Sequence, residues 1–417
     1  MAVDIVEAIR SFNAGRDPER LAMKYEKLRA SPFLFLRGTC HLFYARLPKE
    51  KVFARAPAAW ICGDLHFENF GTYKAANRLV YYDVNDFDEA VLAPVTWEMV
   101  RLLASILVGR SALQLKSAGA ARLCEAVVDA YAQALVAGKA GWVDRDTATG
   151  PVQQLLQGLK ERKRPQFLDR RTTRKGRSRS IRCDGEHALE ATQEQKRHAS
   201  ALVGKYASGL EHPEFFSVLD VARRVAGTGS LGAERYVILV EGKGSPGGNY
   251  LLDLKLAARS SLEAGVKARQ PRWKSQAHRL VALHQRLQAV APAFLWPVLD
   301  GESSYVLREL QPTQDRVVLD AGSVAAAEVG SVLRQMGQLA AWAQLRSAGR
   351  QGSAIADELV AFGAARKKWG NRLLQAAHLC ADQVAGDWRT YCAAYDKGAL
   401  RPEPARQAGI KAGSASS

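Results

Sequence analysis

No apolar run in this 417-residue chain approaches the roughly 20 residues that a membrane-spanning helix needs. The longest, LLASILVG and the alanine-rich stretch from Ala130 to Ala140, are cut short by polar or charged residues, so no membrane span is expected. The opening MAVDIVEAIRSF sets Asp4 and Glu7 where a leader would be apolar. No signal peptide is expected, and the chain is placed in the cytoplasm. Cysteine is sparse: six residues, Cys40, Cys62, Cys124, Cys183, Cys380 and Cys392, never spaced as CxxC. That pattern argues against a zinc site and against a disulfide framework. Acidic residues are in deficit, 42 against 59 Lys and Arg, for a net charge of +17. Such an excess attracts nucleotides, phosphorylated metabolites, nucleic acid or an anionic membrane surface without choosing among them.

Hydrophobic residues make up 47% of the chain, enough for a large core and two lobes or domains. The most informative stretch is ICGDLHFENFGTYKAANRLVYYDVNDFDEA, residues 61 to 90. The apolar run APAAWI leads into Gly63-Asp64-Leu65-His66 and then Asn69. This reads as a strand ending in a tight turn that carries an acid, an imidazole and an amide. A turn at residues 74 to 78 precedes a second strand, LVYYDV, ending in Asn85-Asp86-Phe87-Asp88. Paired as a hairpin, the two strands would bring carboxylates to one end of a sheet, where they need a cation. An Asp followed five residues later by Asn, then a strand ending in Asp-Phe, is an arrangement used in phosphoryl transfer. It makes Asp64 the candidate base, with His66 beside it in the catalytic loop. Asn69, Asp86 and Asp88 become the candidate ligands of Mg²⁺, with Asp83 competing for the same role. Mg²⁺ takes oxygen ligands and is held by one or two carboxylates plus substrate phosphates. The plainer alternative makes Asp64 and Asn69 turn residues with local hydrogen bonds, and His66 a satisfied buried histidine.

The second informative stretch, DVARRVAGTGSLGAERYVILVEG, contains Gly227-x-Gly229-x-x-Gly232. Tyr236-Val237-Ile238-Leu239-Val240 is β-branched and apolar, so a strand follows where a dinucleotide-binding fold would open a helix. A glycine-rich hairpin fits instead. Such a flap, at Gly227, Gly229, Ser230 and Gly232, lies close over phosphate oxygens and offers them backbone N–H groups. The turn GKGSPGGN then leads to a third strand, Tyr250 to Ala257, with Lys255 near its end. Flap, strand, turn and strand with lysine is the order in which kinases present the lysine that neutralises the phosphates of ATP. Glu263 is the nearest candidate to pair with that lysine; a lysine guarding a sheet edge is the alternative. Ser304 to Pro312 would be a strand and hinge, with the backbone around Glu309 and Leu310 meeting adenine.

Helical periodicity covers Asp4 to Leu28, with Asp17-Pro18 as N-cap and first helical position. It returns over Thr96 to about Gly141, about Ala188 to Glu211, Trp273 to Ala289, and Val324 to Ser347, continuing to about Tyr395. SPFLFLRG ends in Arg37, either an anion contact or a surface ion-pair partner. LKERKRPQFLDRRTTRKGRSRSIR, residues 159 to 182, concentrates positive charge. It reads as a mobile clamp for phosphate or an acidic substrate, as a nucleic-acid patch, or as a solvated loop. The tail from Arg401 reads as disordered.

Kinases run flap, lysine, hinge, helix, base loop, metal loop, whereas here the base and metal loops come first. The expected fold is therefore α+β and protein-kinase-like, circularly permuted, with a small antiparallel β lobe and a large helical lobe. Its divisions are an N-terminal helical segment (1–55), a first part of the helical lobe with both loops (56–212), a β-rich nucleotide-binding lobe (213–320), a second helical part (321–400) and a tail (401–417). The GDLHxxN form resembles the aminoglycoside and choline kinase branch of that fold, with Cys62 where the branch usually has His. The segments SPFLFLRG, CGDLHFENFG, DVNDFDEA, TWEMVRLLAS, DVARRVAGTGSLGAERYVILVEG and YVLRELQP, in this order, resemble the bacterial family called domain of unknown function 2252. That resemblance spans about Arg29 to Ser347 and implies kinship with protein-kinase-like proteins, leaving the reaction open. Leu256 stands where the family usually has an acid, Glu98 where it has Asp, and Gln344 where it has His. The readings together expect an ATP- and Mg²⁺-dependent phosphotransferase acting on an unidentified acceptor. A nucleotidyltransferase and a non-catalytic nucleotide- or nucleic-acid-binding protein are the alternatives.

Overall fold

The computed structural model describes residues 3–311, 315–319 and 325–400. Asp4 caps the first helix by accepting from the N–H groups of Val6 and Glu7. Asp17 caps the second through the N–H of Arg20, with Pro18 in the first turn. These helices are α1 (Ile5–Phe12) and α2 (Pro18–Ala30). Ser31 then accepts from the N–H of Leu34, so SPFLFLRG forms a helix, α3 (Pro32–Gly38), with Arg37 in its last turn. Helices α4 (Cys40–Ala45) and α5 (Lys51–Ala54) follow. Ile5, Ile9, Leu28, Phe35 and Leu36 join the same core as residues near the C-terminus, such as Tyr391.

Both acidic loops lie among four short strands: β1 (Ala58–Ile61), β2 (Phe70–Lys74), β3 (Val80–Val84) and β4 (Val91–Pro94). The expected pairing of the APAAWI strand with LVYYDV is not made. β1 pairs with β4 and β3 with β2, both antiparallel, because FGTYK is a strand one short turn from LVYYDV and sets Phe70 and Tyr73 against Val84 and Tyr81. The loops still meet: the N–H of Asn85 donates to the carbonyl of Asn69 at 3.0 Å.

The expected long helix after the loops is two, α6 (Val95–Val108) and α7 (Ser117–Val136), followed by α8 (Gly150–Gly158). The basic segment is ordered, contrary to the loop reading. It forms α9 (Arg164–Arg171) and a hairpin of β5 (Thr172–Lys175) and β6 (Ser178–Ile181). Phe167, Leu168 and Ile181 bury against a larger sheet, and Arg162, Arg164 and Arg179 pair with Asp315, Glu309 and Asp169.

That sheet comprises β7 (Ala188–Glu190), β8 (Val218–Arg224), β9 (Arg235–Val240), β10 (Tyr250–Leu256), β11 (Trp296–Asp300) and β12 (Ser303–Leu310). Its order is β11-β12-β10-β9-β8-β7, antiparallel throughout. Helix α10 (Gln193–Ala207) follows β7, so the helical reading from Ala188 begins a few residues early; α11 (Gln276–Leu287) separates β10 from β11. Alternation along β10 divides the faces. Leu252 and Leu254 pack with Leu202 and Val203 of α10, while Leu251 packs with Phe167 and Leu168. Lys255 falls on the Leu251 side.

Helices α12 (Ala326–Arg346), α13 (Ala356–Ala364) and α14 (Arg366–Asp396) complete the chain. The tail from Arg401, together with Pro312 and Val324, lies outside the described residues. Among the described residues no helix is long and apolar enough to cross a membrane.

Two tertiary ties hold β3 in place. Asp83, buried at 1% exposure, accepts from Arg346 Nη1 at 3.1 Å and from the N–H groups of Val84 and Ala289. It serves the fold and does not line the cavity described below. Gln288 Nε2 donates to the carbonyl of Val84 at 2.7 Å, and its Oε1 meets His284 Nδ1 at 3.0 Å. Arg346→Met strands the Asp83 charge and should lower stability by about 3–5 kcal/mol, read from urea unfolding. Burial draws the His284 imidazole down to about 4, so it stays neutral where an unfolded chain would protonate. Its contribution to stability is therefore present above about pH 6.5 and is lost as pH falls toward 4. Stepped-pH unfolding of His284→Gln should show a shallower loss across that window, by up to about 3 kcal/mol.

Candidate active site

A cavity of about 600 Å³ separates the acidic loops from the larger sheet. Asp64, His66, Asn69, Asp86 and Asp88 line one side; Gly227, Gly229, Ser230, Gly232 and Lys255 line the other. The two groups touch: Lys255 Nζ donates to Asp88 Oδ2 across 167 residues of sequence. Asp88, not Glu263, is the partner of the lysine. Glu309 and Leu310 do not line this cavity. Glu309 is 3% exposed and holds Arg164 at 2.8 Å, and Leu310 packs under Phe167 and Leu168.

Asp64 is positioned by a residue that sequence reasoning placed only within a helical run. Arg101 of α6, fully buried, donates from Nε and Nη2 to Asp64 Oδ1 at 2.8 and 2.5 Å. Its Nη2 also reaches the carbonyl of Leu36 at 2.8 Å. Both arginine contacts fall on Oδ1, and the Cys40 thiol lies against the same carboxylate. Burial raises the Asp64 pKa against the opposing pull of Arg101. The signal available in the sequence was a lone arginine inside the apolar run WEMVRLLA. His66 is buried, and burial plus the neighbouring arginines keep it neutral; its Nδ1 accepts from the N–H of Glu68 at 3.2 Å.

Asn69 fastens one loop to the other. Its Nδ2 donates to the carbonyl of Asp64 at 2.9 Å and its Oδ1 accepts from the N–H of Asp86 at 2.9 Å. The amide oxygen expected to hold metal is thus already engaged in a backbone contact. Burial alone would raise Asp86, but Lys255, the N–H of Asp88, Arg308 and Arg235 hold it down to about 2. Among the described residues no three His, Cys, Asp or Glu side chains form a metal-holding group. A hard ion held by the Asp86 carboxylate and substrate phosphates fits this set; a dedicated protein cage does not.

Gly63 adopts φ +81°, and a Cβ there would fall 2.1 Å from the carbonyl oxygen of Glu89. Only glycine lets the two loops lie this close. Glu89 also lines the cavity and was not foreseen; burial, opposed by Ser261, pushes its carboxyl up to about 7.

The glycine-rich turn joins β8 to β9 as expected. Gly227 and Gly232 have φ +73° and +82°. Its carbonyls are held by cations: Arg16 Nη1, itself on the cavity lining, donates to Gly229 and Leu231 at 2.7 and 2.9 Å, and Lys24 Nζ to Gly229 at 2.8 Å. Among the described residues the N–H groups of Gly227 to Ser230 have no acceptor. Arg37 lines the cavity beside Glu68, its partner at 2.5 Å, and among the described residues its buried Nε has no partner. Unsatisfied donors around one cavity suit an anion.

Three of the unusual residues meet beneath the Asp64 loop. The N–H of Cys62 donates to Glu98 Oε1 at 2.6 Å, and Gln344 Nε2 donates to Glu98 Oε2 at 2.9 Å. Tyr131 Oη closes the network on Gln344 Oε1 at 2.6 Å. Leu256 is separate and lines the cavity.

Neither a curated protein nor a solved structure matches the chain. A family model described as an uncharacterized protein conserved in bacteria (DUF2252) matches residues 16–394. That match takes in both sides of the cavity, Arg16 and the α14 helix, and the chain belongs to this family.

Proposed function

We propose that the chain is an ATP- and Mg²⁺-dependent phosphotransferase with a protein-kinase-like fold in circularly permuted order. One observation carries the reading: two motifs on opposite sides of the sequence, each pointing to phosphoryl transfer, form the two walls of one cavity and touch through Lys255 and Asp88. The order within the larger sheet supports it. Glycine-rich hairpin, lysine strand, helix and two further strands follow one another as β8, β9, β10, α11, β11 and β12.

In this reading the free N–H groups of Gly227 to Ser230 and the Lys255 ammonium bind the phosphates of the donor. Asp64 accepts the hydroxyl of an acceptor at Oδ2, its orientation set by Arg101 on Oδ1. The hydroxyl oxygen forms a bond to the γ-phosphorus as the bridging oxygen–phosphorus bond breaks. ADP leaves with that electron pair, and the hydroxyl proton passes to Asp64. When bound, Mg²⁺ at Asp86 would neutralise phosphate charge. Catalysis then rests on placement and on charges fixed before the substrate arrives.

Mg²⁺ and ATP at 100 times the dissociation constant should stabilise the wild type by about 2.7 kcal/mol, seen as a rise in Tm. Lys255→Ala and Asp86→Ala should each abolish the rise; a rise that survives both removes this cavity as the nucleotide site. Turnover, followed as ADP release, should fall by about 10²–10⁴ in Asp64→Asn while the Tm rise persists. Pyrophosphate released in place of ADP would replace phosphoryl with nucleotidyl transfer.

A further inference from the structure

The inner end of the cavity carries charges that transfer at Asp64 does not use. Asp253, 1% exposed, precedes Lys255 by two residues on β10 and shares its face. Three arginines from three strands surround it. Arg235 donates from Nε and Nη2 to its two oxygens at 2.7 and 2.6 Å. Arg224 Nη1 stands 2.6 Å from Oδ2, and Arg308 Nε donates to the same oxygen at 3.1 Å. Arg224, Arg235 and Arg308 line the cavity. Asp86 and Asp88 also act on these arginines across the cavity, but the N–H groups of three guanidinium groups exceed what the two Asp253 oxygens can accept. Burial draws Arg224 down to about 10 despite Asp253, with Arg235 and Arg308 adding repulsion.

A nucleobase needs the reverse, an apolar slot beside exposed backbone. The apolar residues on this face, Val237, Leu239, Leu251 and Leu310, are already covered by Phe167, Leu168 and Ile181. The strand end past Leu310 is closed as well, because Gln311 bonds both the N–H and the carbonyl of Lys74.

We propose that this end of the cavity binds a phosphate group where a nucleotide cleft would bind the base. The ligand is then recognised as a polyphosphate chain, and the identity of any attached base is not read. Guanidinium groups suit this task because they meet phosphate oxygens two at a time. The inference rests on the phosphoryl-transfer reading and narrows its donor: ATP enters by its phosphates, with adenine outside the deep site.

The test compares the Tm of the wild type across titrations of ATP, GTP, CTP and inorganic tripolyphosphate, each with Mg²⁺, and of adenosine alone. The expected result is apparent dissociation constants that agree within about threefold, under 1 kcal/mol, and no response to adenosine. A preference for ATP of tenfold or more over both GTP and tripolyphosphate, or a shift with adenosine, overturns the inference and leaves phosphoryl transfer standing. No shift with any polyphosphate removes both. Arg308→Gln, which leaves Arg224 and Arg235 on Asp253, should weaken tripolyphosphate by about tenfold or more, and Arg308→Lys should recover part of it. Unchanged tripolyphosphate affinity in Arg308→Gln also overturns the inference. The wild-type comparison decides the question even where a variant fails to fold.

Discussion

Lys255 meeting Asp88 is the contact on which the rest of the site depends, because it joins the larger sheet to the acidic loops across the cavity. It does not act alone. Arg279 of α11 donates to the carbonyls of Asp88 and Ala90 on one side and of Ala258 on the other. Ser260 and Ser261 bind Glu89 just beyond the same acidic loop. The segment after β10 is thus laced to the loop after β3, and the cavity width follows from those bonds. The same proximity lets Lys255 depress Asp86, so the carboxylate is ionised before any ligand arrives.

Cys62, Glu98 and Gln344 make physical sense as a group, because Gln344 offers its amide N–H to the buried Glu98 carboxylate. Glu98 also takes the N–H of Cys62, directly before Gly63. A buried network of this kind holds its geometry only when every member is satisfied, and Tyr131 supplies the last donor. The loop that carries Asp64 is therefore supported from below by this network.

Much of this was legible in the sequence, for identifiable reasons. Turn chemistry and β-branched runs placed the glycine-rich hairpin and the lysine strand, because local preference and tertiary structure agree there. Pairing in the acidic region was misjudged, since FGTYK, as long as VYYDV, carries a glycine, a threonine and a lysine and does not read as an apolar run. The basic segment was misjudged for another reason: its charge obscured Phe167, Leu168 and Ile181, whose burial decides its order. Arg101 and Asp253 were invisible as site residues because a buried charge is recognised only by the partner opposite it. Those partners, Asp64 and the three arginines, come from distant parts of the chain.

The excess of positive charge takes on a different meaning in this light. A net +17 suggests a surface that gathers polyanions, yet many of the cations are inside. Arg20, Lys24, Arg101, Arg179, Arg235 and Arg279 are all buried. Several of these, and the half-buried Arg16 and Arg346, are engaged with backbone carbonyl oxygens: Arg16 and Lys24 at the glycine-rich turn, Arg101 at Leu36 of α3, Arg346 at Leu287 of α11 and at Gly141. A carbonyl drawn toward a cation turns its peptide so that the N–H groups face the other way, and at Gly229 the other way is the cavity. Cations on the carbonyl side of the loop thus orient its neutral N–H donors. The same side chains that raise the net charge build an anion site out of backbone, and this explains why cations are concentrated around a cleft whose front wall is glycine.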